Sequence, residues 1–209
     1  MNDKEEVKNY LDSCTSSFWK DVFNAELNYL LQYLEPGDRI LSVGCGPAHI
    51  EQALANKGFN VTGLDVSQEA ISCLPDRIRA VVGKAEEMPF SAATFDAVTY
   101  IVSLQFIENY QEAVKKTAEV LKPGGKLFIM LLNPESSFFK AKQKEPESYI
   151  NKIRHTDIKA IEKTVASYFS LQTEYFLGLH GNAMVTSREP SDAALYIIRG
   201  TQTANLDLQ

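Results

Sequence analysis

Two glycines at the end of an apolar run, and one acid about 20 residues later, are the residues of this chain best placed to do chemistry. The run Ile40-Leu41-Ser42-Val43 breaks into Gly44-Cys45-Gly46-Pro47, and Val61-Thr62-Gly63-Leu64 ends on Asp65. Glycine lets the backbone turn tightly and approach a ligand with no Cβ in the way, while a carboxylate accepts hydrogen bonds from ribose hydroxyls. A strand ending in Gly-x-Gly, then a strand ending in an acid, makes a nucleotide-binding half-site. Each piece alone also fits a plain turn or a helix cap, so the reading rests on their order along the chain.

Other reactive side chains are scattered. Cys14, Cys45 and Cys73 show no paired metal-ligand spacing and leave an odd thiol in any disulfide scheme, and His49, His155 and His180 have no acid or cysteine at a ligand distance in sequence. No built-in metal is expected. A net charge of −6 disfavours nucleic acid as a partner. No apolar stretch reaches the roughly 20 residues of a membrane span. The charged start Met1-Asn2-Asp3-Lys4-Glu5-Glu6 leads into no signal-peptide core, so a cytoplasmic location is expected. With 209 residues, 44% of them hydrophobic, one domain over 1–209 is expected.

The elements that must position the glycines and the acid follow from periodicity. Phe18, Val22, Phe23, Leu27, Leu30, Leu31 and Leu34 recur at helical spacing up to Pro36-Gly37-Asp38, with a shorter helix expected at Val7–Leu11. This N-terminal helical part covers 1–38. Strand 39–43, helix 47–57, strand 59–65, helix 68–74, strand 78–82 and strand 96–101 then alternate, followed by a helix carrying Val114, Ala118 and Leu121 and an apolar strand 126–132. Such alternation builds right-handed crossovers and a parallel sheet. Residues 133–156 turn polar, with Phe138, Phe139 and Tyr149 interspersed, and read as an inserted loop or lid. A helix over 157–168 and strands 171–177 and 193–199 complete the chain, the last two joined as an antiparallel edge.

With the elements placed, the chain resembles the Rossmann-like (class I) S-adenosylmethionine-dependent methyltransferases, of the small-molecule type. Four motifs carry the likeness: Leu41-Ser42-Val43-Gly44-Cys45-Gly46-Pro47; Gly63-Leu64-Asp65-Val66-Ser67; Gly83-Lys84-Ala85-Glu86-Glu87-Met88-Pro89-Phe90; and Phe95-Asp96-Ala97-Val98 with Leu121-Lys122-Pro123-Gly124-Gly125. The resemblance implies a three-layer α/β fold with a mostly parallel seven-stranded sheet, and S-adenosyl-L-methionine as cofactor. It implies that Gly44 and Gly46, in a loop with Ser42 and Cys45, floor the methionine part, their amides and a helix N-terminus facing its carboxylate. Asp65 would hold both ribose hydroxyls, Val66 would lie against the adenine, Ala85 and Glu86 would border it, and Tyr100 or Ile101 would line the reactive methyl.

Three departures stand out against that pattern. Ser42 replaces an acid before the glycine loop, Lys84 stands where relatives carry Asp or Asn, and Phe106 stands where many place a histidine. The inherited base is therefore missing, and His155 in the inserted segment is the one candidate. Methyl transfer from a sulfonium needs alignment more than a base, so a small-molecule acceptor, held against Tyr10, Trp19, Phe138, Phe139 and Tyr149, is the expected substrate. A nicotinamide-dependent oxidoreductase is the rival, but His49 occupies its third-glycine position. The same motifs would also serve a cofactor-binding protein without catalysis, or a methyltransferase acting on protein or RNA.

Overall fold

The computed structural model of the chain describes residues 16–75 and 78–202. The expected helix at Val7–Leu11, together with Tyr10 and Cys14, lies outside the described residues. Helix α1 (Ser17–Leu31) starts where Ser16 Oγ accepts from the Trp19 amide at 3.3 Å. The chain then runs β1 (Arg39–Val43), α2 (His49–Asn56), β2 (Asn60–Asp65), α3 (Gln68–Ser72), β3 (Arg79–Val82) and β4 (Phe95–Ile101). It continues through α4 (Tyr110–Val120), β5 (Leu121–Leu132), α5 (Ser137–Lys142), α6 (Ile158–Ala166), β6 (Phe169–His180), β7 (Ala183–Val185) and β8 (Ala193–Gln202).

The strands form one eight-stranded sheet in the order β3-β2-β1-β4-β5-β8-β6-β7. Pairs among β1 to β5 are parallel, while β8 runs antiparallel to β5 and β6, and β7 folds back on β6. The mostly parallel sheet with an antiparallel edge is as expected. The eighth strand is the short hairpin arm at Ala183–Val185, whose three exposed residues carry no alternation that would announce it. Residues 122–125 interrupt the pairing of β5 with β4, where the register jumps between Phe95 and Ala97.

Because successive strand residues face opposite sides, each strand feeds two cores. On one side Leu41, Val43, Val98, Tyr100, Ile129 and Ile198 pack under α4 and α6. On the other, Ile40, Ala97, Phe128, Met130 and Ile197 pack under α1, α2 and α5. Helices cover both faces, giving three layers. The segment after β5 is not a loop standing off the body: Phe138, Phe139 and Ile150 are 7%, 3% and 2% exposed and belong to the core beneath α1. Its polar residues misled because the apolar ones are few and wholly inward. Among the described residues no helix is long and apolar enough to cross a membrane.

The chain builds outward from β1 to β3, then returns to lay β4 against the other side of β1. Strand order therefore reverses between β1 and β4, and a parallel sheet of this kind opens a crevice at the carboxyl ends of those strands. A surface groove lined by Arg39, Phe59, Asn60, Thr62, Arg79 and Phe95 lies at the amino ends instead, away from the glycine loop.

Candidate functional site

Gly44 leaves β1 at φ +69, and a Cβ there would fall 2.5 Å from the Ser103 Cβ. The loop after β1 thus presses on the segment after β4, and only glycine fits. Ser103 Oγ ties the two together by donating to the Val43 carbonyl at 2.6 Å. The Gly44 N–H donates to Leu64 O at 2.7 Å and the Gly46 N–H to Asp65 Oδ2 at 2.8 Å. These two amides do not face outward as expected, because the loop has to anchor itself to the end of β2. What Gly46 offers is space: at φ +51, a Cβ there would meet nothing within 4 Å. The first turn of α2 behind the loop has no side-chain cap on its N–H groups.

Asp65 is the hinge of this end of the sheet. Its Oδ2 holds the glycine loop and its Oδ1 accepts from the Ser67 N–H at 2.9 Å, yet each carboxylate oxygen keeps a lone pair for a hydroxyl. Next to it Val66 is 68% exposed, and Val82, the end residue of β3, is 43% exposed. Two solvent-facing valines at adjacent strand ends give an apolar surface for a flat ring. Ala85 is buried behind them, and Glu86 Oε1 accepts from the Asn109 amide at 3.3 Å, fastening this rim to the start of α4. Lys84 is exposed. Cys45 packs its sulfur against Gly63, and burial, then the charges of Glu51 and Asp65, push its thiol well up, so it stays protonated and inert.

Beyond β4 two expectations change. Tyr100 is fully buried, its hydroxyl 2.7 Å from Thr117 Oγ1 beneath α4, so it lies in the core and lines no ligand. Strand alternation turns Ile101 the other way, half-buried against the core on the α1 side. Val102 follows at φ +52, an outlier for a β-branched residue, held by its N–H to Met130 O at 2.9 Å. Strain of this kind gathers at functional sites.

His155, the expected base, is tied to the backbone through its Nε2. Its Nε2 lies 2.9 Å from Ile107 O and 3.2 Å from Glu108 O, and its ring stands edge-on to Tyr110. Carbonyls only accept, so Nε2 carries the proton and braces the segment after β4. Gln105 completes the brace. Fully buried, it donates from Nε2 to Leu132 O at 3.1 Å and His155 O at 3.3 Å, and accepts at Oε1 from the Leu132 N–H at 2.7 Å.

Two acids that sequence reasoning passed over, Glu26 and Glu51, lie buried on the α1 side. Ser42 Oγ donates to Glu51 Oε1 at 2.5 Å, and both side chains are buried. Glu26 of α1 is buried nearby; burial, then the charge of Glu51, push its carboxyl up to about 8. His49, the first residue of α2, stacks on Phe23 with ring centroids 5.3 Å apart, and burial lowers its pKa, so the loop gains no positive charge from it. Trp19 meets Phe138 edge-on at 6.4 Å, joining α1 to α5. Glu26 was visible in principle, as an acid within the apolar stripe of α1, one turn from Val22 and Leu30.

A family model described as "Methyltransferase domain" matches residues 41–129. The demethylmenaquinone methyltransferase of Corynebacterium glutamicum is 31% identical over 165 residues, covering 68% of this chain and 70% of that protein. The chain belongs to the class I S-adenosylmethionine-dependent methyltransferases. Another methyltransferase, the ubiquinone biosynthesis O-methyltransferase of Xanthomonas axonopodis pv. citri, is 33% identical over 125 residues, 54% of this chain, which spans about half of that relative (51%). The fold likeness reaches further than the sequence likeness. A Thermotoga maritima crystal structure described as "SAM-dependent methyltransferase, possible histamine N-methyltransferase" superposes with a TM-score of 0.80 at 19% identity, over 95% of this chain and 96% of that one. In this methyltransferase the family match takes in the glycine loop, Asp65 and Glu86, and stops short of α1 and α5.

Proposed function

We propose that this chain transfers the methyl group of S-adenosyl-L-methionine to a small-molecule acceptor. The observation that carries the reading is Asp65: one carboxylate fastens the glycine loop and the start of α3 while an exposed valine stands beside it. That arrangement fits an adenosine, with Asp65 receiving the ribose hydroxyls, Val66 against the base, and Ala85 and Glu86 at its edge. The space in front of Gly46 fits the amino-acid end, above Ser42, Gly44 and Cys45, and Ile101 is the end-of-β4 residue nearest in role to the methyl. Support for a small acceptor comes from the two quinone-biosynthesis methyltransferases, whose names both specify small molecules.

When bound, the cofactor supplies a methyl already activated by its sulfonium charge, so an in-line displacement asks the protein mainly for alignment. The chain's own part is positional. Ser103 and Gly44 fix the crevice floor, Gln105 and His155 lock the turn after β4, and Trp19, Phe23 and Phe138 give α1 and α5 an aromatic seam on the acceptor side. Residues 39–132 would form the cofactor core of one domain, in a cytoplasmic enzyme.

The test is calorimetric titration with S-adenosylmethionine, S-adenosylhomocysteine and NAD in parallel, on the wild type and Asp65→Ala. Micromolar binding of both sulfur compounds without NAD, weakened about tenfold or more by Asp65→Ala, is expected for hydrogen bonds to a charged group. Binding of NAD, or an Asp65→Ala protein with unchanged affinity, refutes the assignment.

A further inference from the structure

Away from the crevice, at the amino ends of β1, β2 and β3, Arg39, Asn60, Thr62, Arg79 and Phe95 line a groove of about 490 Å³. It continues into a recess of about 230 Å³ beside Phe90, Ser91 and Thr94. Parallel pairing sets Arg39 against Asn60 and Thr62 against Arg79. Paired residues share a face and every second residue returns to it, so both arginines flank Thr62 on the side of the sheet that carries α4. The crossover from β3 to β4 accounts for the opening: it holds the 3-10 turn Ala85–Glu87 and no α-helix, where a crossover helix would cover these strand ends.

Three polar groups in this groove lack partners. Among the described residues neither Arg39 nor Arg79 pairs its side chain with a carboxylate, whereas Arg188 and Arg199 share Glu174 at 2.6 and 3.7 Å. The carboxylate beside Arg39, that of Asp96, is already taken: Oδ2 accepts from the Arg39 N–H at 3.0 Å and Oδ1 from Lys122 Nζ at 2.6 Å. Thr62 is only 8% exposed, and its hydroxyl has no hydrogen-bond partner among the described residues. A hydroxyl so nearly buried is costly to leave unsatisfied, and Thr62 lines both the groove and its recess.

We propose that this groove binds the phosphate of a small phosphate-bearing molecule, at a site separate from the cofactor crevice. Two strand spacings and a two-residue offset put the arginine Cα atoms about 12 Å apart, so the two arms reach one phosphate from opposite sides. Guanidinium groups match phosphate oxygens in pairs, and the Thr62 hydroxyl between them donates the bond it otherwise lacks. With a net charge of −6 the chain repels anions from most of its surface, and the unneutralised pair draws them here. Phe90 and Phe95, in edge contact with centroids 5.1 Å apart, give the recess an apolar wall for the organic part of an ester. Groove and glycine loop lie at opposite ends of the parallel strands, so phosphate and cofactor do not compete for space.

The experiment titrates inorganic phosphate and phenyl phosphate calorimetrically, at fixed ionic strength, into the wild type, Arg39→Gln, Arg79→Gln, Thr62→Val and Lys144→Gln, the last an exposed control outside the groove. Both arginines are exposed, so their variants are expected to fold, which circular dichroism checks. The wild type should bind with a Kd of about 0.1 mM, and each arginine variant about tenfold more weakly, the worth of a hydrogen bond to a charged group. Thr62→Val should lose about threefold to tenfold, while Lys144→Gln and saturating S-adenosylhomocysteine change the affinity less than about twofold. Tighter binding of phenyl phosphate assigns the groove to an organic ester, and equal binding of the two to free phosphate. No binding by the wild type, unchanged affinity in folded Arg39→Gln and Arg79→Gln, or an equal loss in Lys144→Gln overturns the site. An RNA oligonucleotide bound through the same arginines, with neither small phosphate bound, overturns it as well.

Discussion

Glu26→Gln should flatten the dependence of folding stability on pH. Glu26 has an ordinary carboxyl value of 4.5 in the open chain and about 8 when folded, raised by burial first and by the charge of Glu51 second. A carboxyl raised on folding contributes stability that is whole below about 4.5 and is lost as the pH climbs through about 8, since the unfolded chain releases the proton that the folded one keeps. Across that interval, at about 1.4 kcal/mol per pH unit, the loss sums to about 5 kcal/mol, and between pH 5.5 and 7.5 to about 3 kcal/mol. Glutamine keeps the shape and removes the titration. Glu51 faces the same space and is itself raised by burial, so the difference between wild type and variant, at fixed Glu51, is the quantity to read. Urea unfolding at pH 5.5 and 7.5 supplies it, followed by the fluorescence of the chain's one tryptophan, Trp19, which sits on α1 itself. The wild type should lose about 3 kcal/mol more than Glu26→Gln over that range. Parallel losses, within about 0.5 kcal/mol, would show that Glu26 is not held protonated and would refute the reasoning.

Gly44→Ala should cost about 2–4 kcal/mol, because it combines a left-handed backbone with a 2.5 Å approach to Ser103, and Ser103→Gly in the same chain should recover the steric part only, as read by urea unfolding. Tyr100→Phe removes a hydroxyl bonded to Thr117 and should lower stability by about 1 kcal/mol while leaving the calorimetric affinity for S-adenosylhomocysteine unchanged; a weakened affinity would return Tyr100 to the cofactor surface. His155→Ala should lower the melting temperature by a few degrees and leave the shape of the pH–rate profile intact, since Nε2 serves as a donor to Ile107 and Glu108 carbonyls; a lost acidic limb in the profile would make it a base after all.

What could be read from the sequence was whatever periodicity and order determine. The alternation of apolar runs with helical stripes placed four parallel strands, the glycine loop and Asp65 within a residue of where they stand, while the fifth strand, expected at 126–132, begins at Leu121. The limits lie in how side chains spend their hydrogen bonds. Nothing in Gly44-Cys45-Gly46 says that its amides turn back to Leu64 and Asp65, and nothing in Tyr100-Ile101 says which of the two faces α4, since that depends on the register of β4 against β1. The segment 133–156 misread for a related reason: a short helix that buries Phe138 and Phe139 presents mostly polar residues to any window longer than one turn.

Departures at single motif positions need not weaken the site, because hydrogen bonds reach across elements. Ser42 looks like the loss of an acid when β1 is considered alone. Nine positions later Glu51 returns a carboxylate to the same point, because the first turn of α2 folds back over the strand end that launches it. Phe106 looks like the loss of a histidine in the turn after β4, yet Gln105 beside it bonds that turn to Leu132 at the end of β5 and to His155, and His155 holds it from a segment about 50 residues distant in sequence. In the first case a carboxylate is returned from another element, and in the second the turn is held in place although no base is restored to it, so proximity in space changes what a single motif position means.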